Sequence, residues 1–243
     1  MKLHHRQIRK VLFSLTSFGI AMGFLEAVVV VYLRLLFYPE GFSSPLRPML
    51  SGFLLIESLR EISTVVMIIV VSILAGSQSV RRFSFFLITF GVWDIFYYVW
   101  LKVLLNWPAS LFDWDILFLI PVIWVGPVLA PVLCSGTMIV IGGYILVLIN
   151  KGYAVRLKLS EWFLLGVGAL LIFITFVQDY AHMIIKGRFY LRFWMLGSDP
   201  EFQRCFSSFV PISYNWPLFI AGEALIFSVM VSLGRSVKRH YCY

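Results

Sequence analysis

The chain has 243 residues, of which 60% are hydrophobic, 17% aromatic and only 13% charged, and its mean hydropathy is +0.91. This composition excludes an ordinary soluble domain and indicates a polytopic membrane protein. A formal net charge of +8 would suit a nucleic-acid-binding domain, but the basic residues stand at the ends of apolar runs, as in cytoplasmic loops, which excludes nucleic acid as a partner.

Six runs are long and apolar enough to span a bilayer, which takes about 20 residues in a helix. They predict an all-α fold: a six-helix transmembrane bundle that forms a single domain over residues 1–243. The first run follows a basic N-terminus and has no clear small-residue cleavage site, so it is interpreted as a retained signal anchor. The predicted spans are 11–36, 53–75, 84–105, 116–149, 161–185 and 214–234.

The fourth run is too long for one straight helix and contains Pro121, Pro127 and Pro131 in its first half. Proline removes a backbone donor and clashes with the preceding turn, so a kinked or broken helix is expected there. Two interpretations stay open: a kink without a functional role, or a bend that opens a pocket.

The basic residues predict the orientation of the bundle. With the N-terminus inside, the inner segments hold twelve Lys and Arg residues and the outer segments five. Cytoplasmic loops are enriched in these residues, so both termini are expected in the cytoplasm and the protein in the cell inner membrane. The long outer loop 186–213 is rich in aromatic and basic residues, as in interfacial segments, and a short helix is expected after Ser198 or Asp199, with Pro200 at its first position.

Acidic residues inside the spans are the main functional signal. A charge at the centre of a membrane helix costs about 2.5 to 3.5 kcal/mol on insertion scales, so it is kept where it pairs, protonates or faces water. All of these acids lie at the midplane or in the outer half, which predicts a polar vestibule that is open to the outside and closed toward the cytoplasm. The acids are Glu26, Glu57, Glu61, Asp94, Asp179 and Glu223.

In the second span, Glu57, Arg60 and Glu61 lie on one helical face. An arginine between two carboxylates would hold them in place by charged hydrogen bonds. The triad is interpreted either as a positioned catalytic pair or as a salt bridge that only locks helices together.

In the third span, Tyr97 lies about one turn after Asp94 and could donate to it or relay a proton. The alternative is that the tyrosine belongs to an aromatic belt and Asp94 pairs with Lys102. In the fifth span, Asp179 and His182 are spaced so that the acid could orient the imidazole, or both could bind one metal.

The candidate catalytic residues are therefore Glu26, Glu57, Arg60, Glu61, Asp94, Tyr97, Asp179 and His182, and the candidate substrate-binding residues are Arg34, Lys102, Trp124 and Glu223. His182 is the only histidine in a span, which excludes a histidine-rich metal site or bis-histidine haem within one chain. A carboxylate-dominated metal site stays open, and neither a metal nor a cofactor is identified.

The favoured function is a membrane-embedded enzyme that acts on a lipid or isoprenoid-like substrate by acid/base chemistry. The alternatives are a small proton- or cation-coupled transporter and a non-catalytic subunit of a membrane complex. Membrane lipids are the expected partners, with other membrane subunits or a second copy of the chain as further candidates. No P-loop, G-x-S-x-G or H-E-x-x-H motif occurs.

Overall fold

The computed structural model describes residues 2–37, 51–120, 122–189, 199–207 and 213–239. Within these ranges the chain forms seven helices and two strands. In chain order they are α1 (Lys2–Phe37), α2 (Ser51–Ala75), α3 (Ser79–Leu105), β1 (Trp114–Phe118), β2 (Trp124–Pro127), α4 (Leu129–Asn150), α5 (Leu159–Lys186), α6 (Pro200–Ser207) and α7 (Trp216–Arg239).

Six of the helices are long and apolar enough to cross a membrane, which confirms the predicted number of spans. Many large apolar side chains on these helices are exposed, for example Leu35, Leu74 and Phe163, as expected of a surface that contacts lipid tails. The helices alternate in direction. One end of the bundle carries the start of α1 and the end of α7 and is called the termini end; the opposite end, from which the two strands enter, is called the hairpin end.

Close packing between α1 and α3 depends on two glycines spaced four residues apart. A Cβ atom at Gly23 would lie 2.9 Å from the Trp93 carbonyl oxygen and from the Tyr97 amide nitrogen, and one at Gly19 would lie 3.1 Å from the Thr89 carbonyl oxygen. Small residues at this spacing let helix backbones approach each other in membranes. A similar contact joins α5 and α7, where Gly168 and Gly222 face each other.

The predicted fourth span differs from the structure in its first third. Residues 114–118 and 124–127 form an antiparallel two-stranded hairpin, with Trp114 opposite Pro127 and Phe118 opposite Trp124. The fold is therefore not purely helical, and the kink expected at the prolines is not confirmed. The helix itself begins only at Leu129.

The positions of the prolines explain this difference. Pro127 ends β2, and Pro131 lies in the first turn of α4, where backbone N–H groups have no partner within the helix. A proline at that position costs no hydrogen bond and does not bend the helix. Pro121 lies outside the described residues.

The hairpin reaches the middle of the bundle. The Phe118 ring lies 6.1 Å from the ring of Trp93, and the Trp124 ring lies 5.0 Å from that of Phe173. Trp93 and Phe173 each stand at or next to the central residue of their helix. A connection of this kind, in which chain enters and leaves at the same end of the bundle, places non-helical backbone at the level of the helix centres.

The short helix predicted after Asp199 is confirmed as α6. Oδ1 of Asp199 accepts hydrogen bonds from the backbone N–H groups of Glu201 (2.9 Å) and Phe202 (3.3 Å), so the acid caps the helix and Pro200 occupies the first turn. Residues 190–198 and 208–212 of the outer loop lie outside the described residues. The position of this loop relative to a membrane stays a prediction.

Candidate functional site

Arg60 joins two helices through two carboxylates. Its Nη1 donates to Oε1 of Glu26 at 2.5 Å, and its Nε donates to Oε2 of Glu57 at 2.6 Å. The spacing of the second span predicted an arginine between Glu57 and Glu61; in the structure the second partner is Glu26 of α1 instead. The reason is geometric: side chains of neighbouring helical residues point about 100° apart, so Glu61 turns to the Leu119 amide while Glu26 of α1 faces the guanidinium.

Glu61 holds the tip of the hairpin. Its Oε2 accepts a hydrogen bond from the backbone N–H of Leu119 at 2.9 Å, and its side chain is buried. Leu119 follows directly after β1, where the strand pairing ends. Non-helical backbone at membrane depth needs partners for its polar groups. Glu61 supplies one of these partners and so fixes the hairpin against α2.

Asp94 lies near the middle of α3 and is held by α4. Its Oδ2 accepts a hydrogen bond from the Ser135 hydroxyl at 2.7 Å. The side chain of Ser135 is fully buried, whereas Asp94 is only half-buried. Asp94 is also within electrostatic range of Glu26 and Asp115, which brings it into the same region as the Arg60 cluster.

At the hairpin end, Arg34 of α1 contacts Asp115 of β1. The Nη2 atom lies 3.5 Å from Oδ1 of the carboxylate, and the guanidinium carbon lies 3.7 Å above the centre of the Trp107 ring. The hydroxyls of Tyr97 and Tyr98 interact with the same carboxylate, so Tyr97 faces the hairpin as well as Asp94.

Glu223 of α7 forms a second carboxylate site on the other side of α4. Its Oε2 accepts a hydrogen bond from the Thr137 hydroxyl at 2.7 Å, and the Cys134 thiol lies beside it. Its Oε1 atom is buried and has no hydrogen-bond partner among the described residues. Because Cys134 is also within electrostatic range of Asp94, the two carboxylates flank the same turn of α4.

The two remaining candidate substrate-binding residues, Trp124 and Lys102, lie in different parts of the bundle. Trp124 is in β2, stacked on Phe176 with ring centres 5.9 Å apart, so it belongs to the hairpin packing. Lys102 is exposed at the hairpin end, where its ammonium donates to the carbonyl oxygens of Asn106 (3.3 Å) and Pro108 (2.9 Å). The structure thus gives Lys102 backbone partners, and the suggested pairing with Asp94 is not observed.

Asp179 and His182 are near each other but do not contact the charged cluster. The two side chains interact electrostatically, Asp179 is half-buried and His182 is exposed. No hydrogen bond in the described part of the chain connects either of them to the residues around the hairpin. Their suggested role in acid/base chemistry stays a prediction.

A carboxylate metal centre receives no support from this arrangement. Among the described residues, no three His, Cys, Asp or Glu side chains come close enough together to hold one ion. The carboxylates are instead distributed, one or two at a time, among an arginine, two hydroxyls and a backbone amide.

Three partners of the site were not singled out from the sequence: Ser135, Thr137 and the backbone N–H of Leu119. The run of small polar residues Cys134, Ser135 and Thr137 inside an otherwise apolar span was a signal that could have identified the first two. No sequence pattern reveals which backbone amide a distant carboxylate will accept from.

The carboxylates of the site differ in whether an arginine pairs with them. Within the described residues, ion pairs join Arg34 to Asp115 and Arg60 to Glu26 and Glu57. Asp94 and Glu223 have no ion-pair partner in that part of the chain and each accepts one hydroxyl hydrogen bond.

Comparison of the chain with models of known protein families, with curated proteins and with solved structures gave no match.

Proposed function

We propose that the protein is a membrane-embedded enzyme that acts on a lipid or isoprenoid-like substrate, with Asp94 as the group that accepts and returns a proton. The observation that carries the proposal is the hydrogen bond from Ser135 to Asp94 at the middle of α3. It holds a half-buried carboxylate, without an ion-pair partner among the described residues, in one position at the centre of the bundle.

Proton transfer suits a carboxylate that is held in place without an ion pair. A carboxylate that is fixed by an arginine is committed to its ion pair, as Glu26 and Glu57 are. Within the described part of the chain Asp94 accepts one hydrogen bond, from a neutral hydroxyl, and in this proposal its other oxygen takes a proton from a substrate and returns it to another atom. In this proposal, Tyr97 and the Arg34–Asp115 pair form the wall of the site toward the hairpin end.

The depth of the polar groups supports access from one side. The ion pairs and the hairpin occupy the half of the bundle toward the hairpin end, with Glu61 and Asp94 close to the helix centres. At the termini end stand Arg81, Arg82, Lys151, Arg156 and Lys158. We propose that the protein lies in a cell inner membrane with this basic end on the cytoplasmic side. Substrate then enters from the outer leaflet.

An acid-to-amide exchange tests the role of Asp94. Asp94→Asn keeps the size of the side chain and an oxygen that Ser135 can bond, but removes proton acceptance. Glu201→Gln makes the same chemical change on the exposed surface of α6 and is the matched control. Membranes from cells that lack the protein, or that express wild type or either variant at equal levels, are compared by lipid mass spectrometry.

The expected result is a lipid species that accumulates without the protein and disappears with wild type or Glu201→Gln, but persists with Asp94→Asn. If Asp94→Asn restores the normal lipid profile, Asp94 is not the proton-transferring group. If no lipid differs between cells with and without the protein, the proposed substrate class is wrong.

Proton- or cation-coupled transport is the second candidate, and Glu223 is the observation that favours it. Its Oε1 atom is buried without a hydrogen-bond partner in the described part of the chain, so a proton or a cation would satisfy it. Reconstituted vesicles with an internal pH dye distinguish the two functions. A proton-coupled transporter acidifies the vesicle interior when the outside is made more acidic, and an enzyme does not.

A further inference from the structure

A second polar region lies at the opposite end of the bundle, between the start of α5 and the last turns of α7. It is a groove of about 420 Å³. None of the residues discussed above as part of the Asp94 site contributes to it. Its lining consists of two basic residues, three serines and one valine, namely Lys158, Arg235, Ser228, Ser232, Ser236 and Val231.

The serines form one face of α7. They are spaced four residues apart, which places them above one another along the helix. At 1.5 Å per residue they extend over about 12 Å, from the termini end toward the interior of the bundle. Val231, which is 43% exposed, stands between Ser228 and Ser232 in the sequence. The groove is therefore charged near the termini end and is lined by serines and one exposed valine farther along α7.

A buried carboxylate organises the base of the groove. Oε1 of Glu161 accepts the Ser232 hydroxyl at 2.8 Å, and Oε2 accepts the backbone N–H of Lys158 at 2.8 Å. Glu161 is 2% exposed. Both of its oxygens accept hydrogen bonds, so it fixes the positions of Ser232 and of the first turn of α5.

The two bases form no ion pair in the part of the chain that the structure describes. Among the described residues, the ammonium of Lys158 contacts only the Ser236 hydroxyl, at 3.4 Å, and no ion pair involves Arg235. Both side chains are exposed. The positive end of the α5 helix dipole adds to their field, because Lys158 immediately precedes the first residue of that helix.

We propose that this groove binds a phosphate group, held by Lys158 and Arg235 with hydroxyl donation from Ser236. Ser228 and Ser232 donate their protons to the Leu225 carbonyl oxygen and to Glu161 and so only line the groove. Basic side chains, a hydroxyl donor and a helix N-terminus are groups that recognise phosphate in proteins. The groove lies at the ends of two helices that are long and apolar enough to cross a membrane, where lipid headgroups would lie, so the phosphate of an anionic lipid is the expected ligand.

The test uses the purified full chain in detergent micelles and measures retained lipid by native mass spectrometry. The probes are phosphatidylglycerol, phosphatidylcholine and inorganic phosphate. The groove is altered by Lys158→Gln and Arg235→Gln, singly and together. Lys151→Gln removes an exposed base at the same end, just after α4, and is the matched control. Circular dichroism melting of each variant checks that the fold is retained.

Wild type is expected to retain phosphatidylglycerol in preference to phosphatidylcholine. Each groove substitution should weaken retention about fivefold, as expected for removal of one basic charge near anionic lipid, and Lys151→Gln should not. Competition by millimolar inorganic phosphate would identify free phosphate as a ligand of the same site, and lack of competition would identify the lipid headgroup. The proposal is overturned if the double variant binds like wild type, or if Lys151→Gln weakens retention as much as the groove variants.

Discussion

At the scale of single residues, the charged groups of the bundle are matched to different kinds of partner. Arg60 neutralises two carboxylates, Glu61 accepts a backbone amide, and Asp94 accepts a hydroxyl. Removing one member of a buried ion pair is more costly than replacing the whole pair, because the remaining charge is left without compensation. This difference separates residues that hold the structure from the one proposed to transfer a proton.

Arg60→Met should lower the free energy of unfolding by about 3 kcal/mol, because Glu26 and Glu57 lose their shared cation. Adding Glu26→Gln and Glu57→Gln to this variant should restore most of the loss, since no unpaired charge then remains. Unfolding in mixed micelles by added dodecyl sulfate, followed by circular dichroism, measures both. A triple variant that is no more stable than Arg60→Met alone would show that the ion pairs do not account for the effect.

Glu61→Leu should destabilise the protein by about 1 to 3 kcal/mol, because the Leu119 N–H is left without a partner inside the bundle. Glu61→Gln keeps an oxygen that can accept the same hydrogen bond and should cost much less. The same unfolding assay compares the two variants. Equal stability of the Leu and Gln variants would mean that the contact between α2 and the hairpin contributes little.

At the scale of elements, the six spans could be predicted because about 20 consecutive apolar residues are a strong signal. The hairpin could not. Its strands, Trp114–Phe118 and Trp124–Pro127, stand in one continuous, largely apolar run with α4, so hydrophobicity alone does not separate them from that span. The prolines marked the correct region but did not reveal that Pro131 lies in the first turn of a helix. The glycine contacts between α1 and α3 likewise depend on which faces meet.

Gly23→Ala should weaken the packing of α1 on α3 by about 1 to 3 kcal/mol. The added Cβ would lie 2.9 Å from backbone atoms of Trp93 and Tyr97, which cannot move like the end of a flexible side chain. Gly143→Ala is the matched control in α4, because nothing lies within 4 Å of its added Cβ. Thermal melting in micelles compares them. The account of this interface is wrong if both substitutions have the same effect.

At the scale of the whole molecule, the types and approximate depths of the site residues could be predicted, but their pairing could not. The intramembrane acids stand out because each is costly in an apolar span. Which ones meet depends on helix packing: Arg60 bonds to Glu26 on another helix, and Asp94 bonds to Ser135. Asp179 and His182 have the same local signal, yet no hydrogen bond among the described residues joins them to the cluster around the hairpin.

The central claim is that the chain around β1 and β2 enters the membrane to its middle and returns to the same side, with the carboxylates gathered around it. Spin labels at positions 110, 119 and 129, in a chain whose cysteines are replaced by alanine, report depth in lipid nanodiscs through collisions with oxygen and a nickel complex. The account predicts that the labels at positions 110 and 129 lie near the surface and the label at 119 near the midplane. A label at 119 that is as shallow as the other two would contradict it.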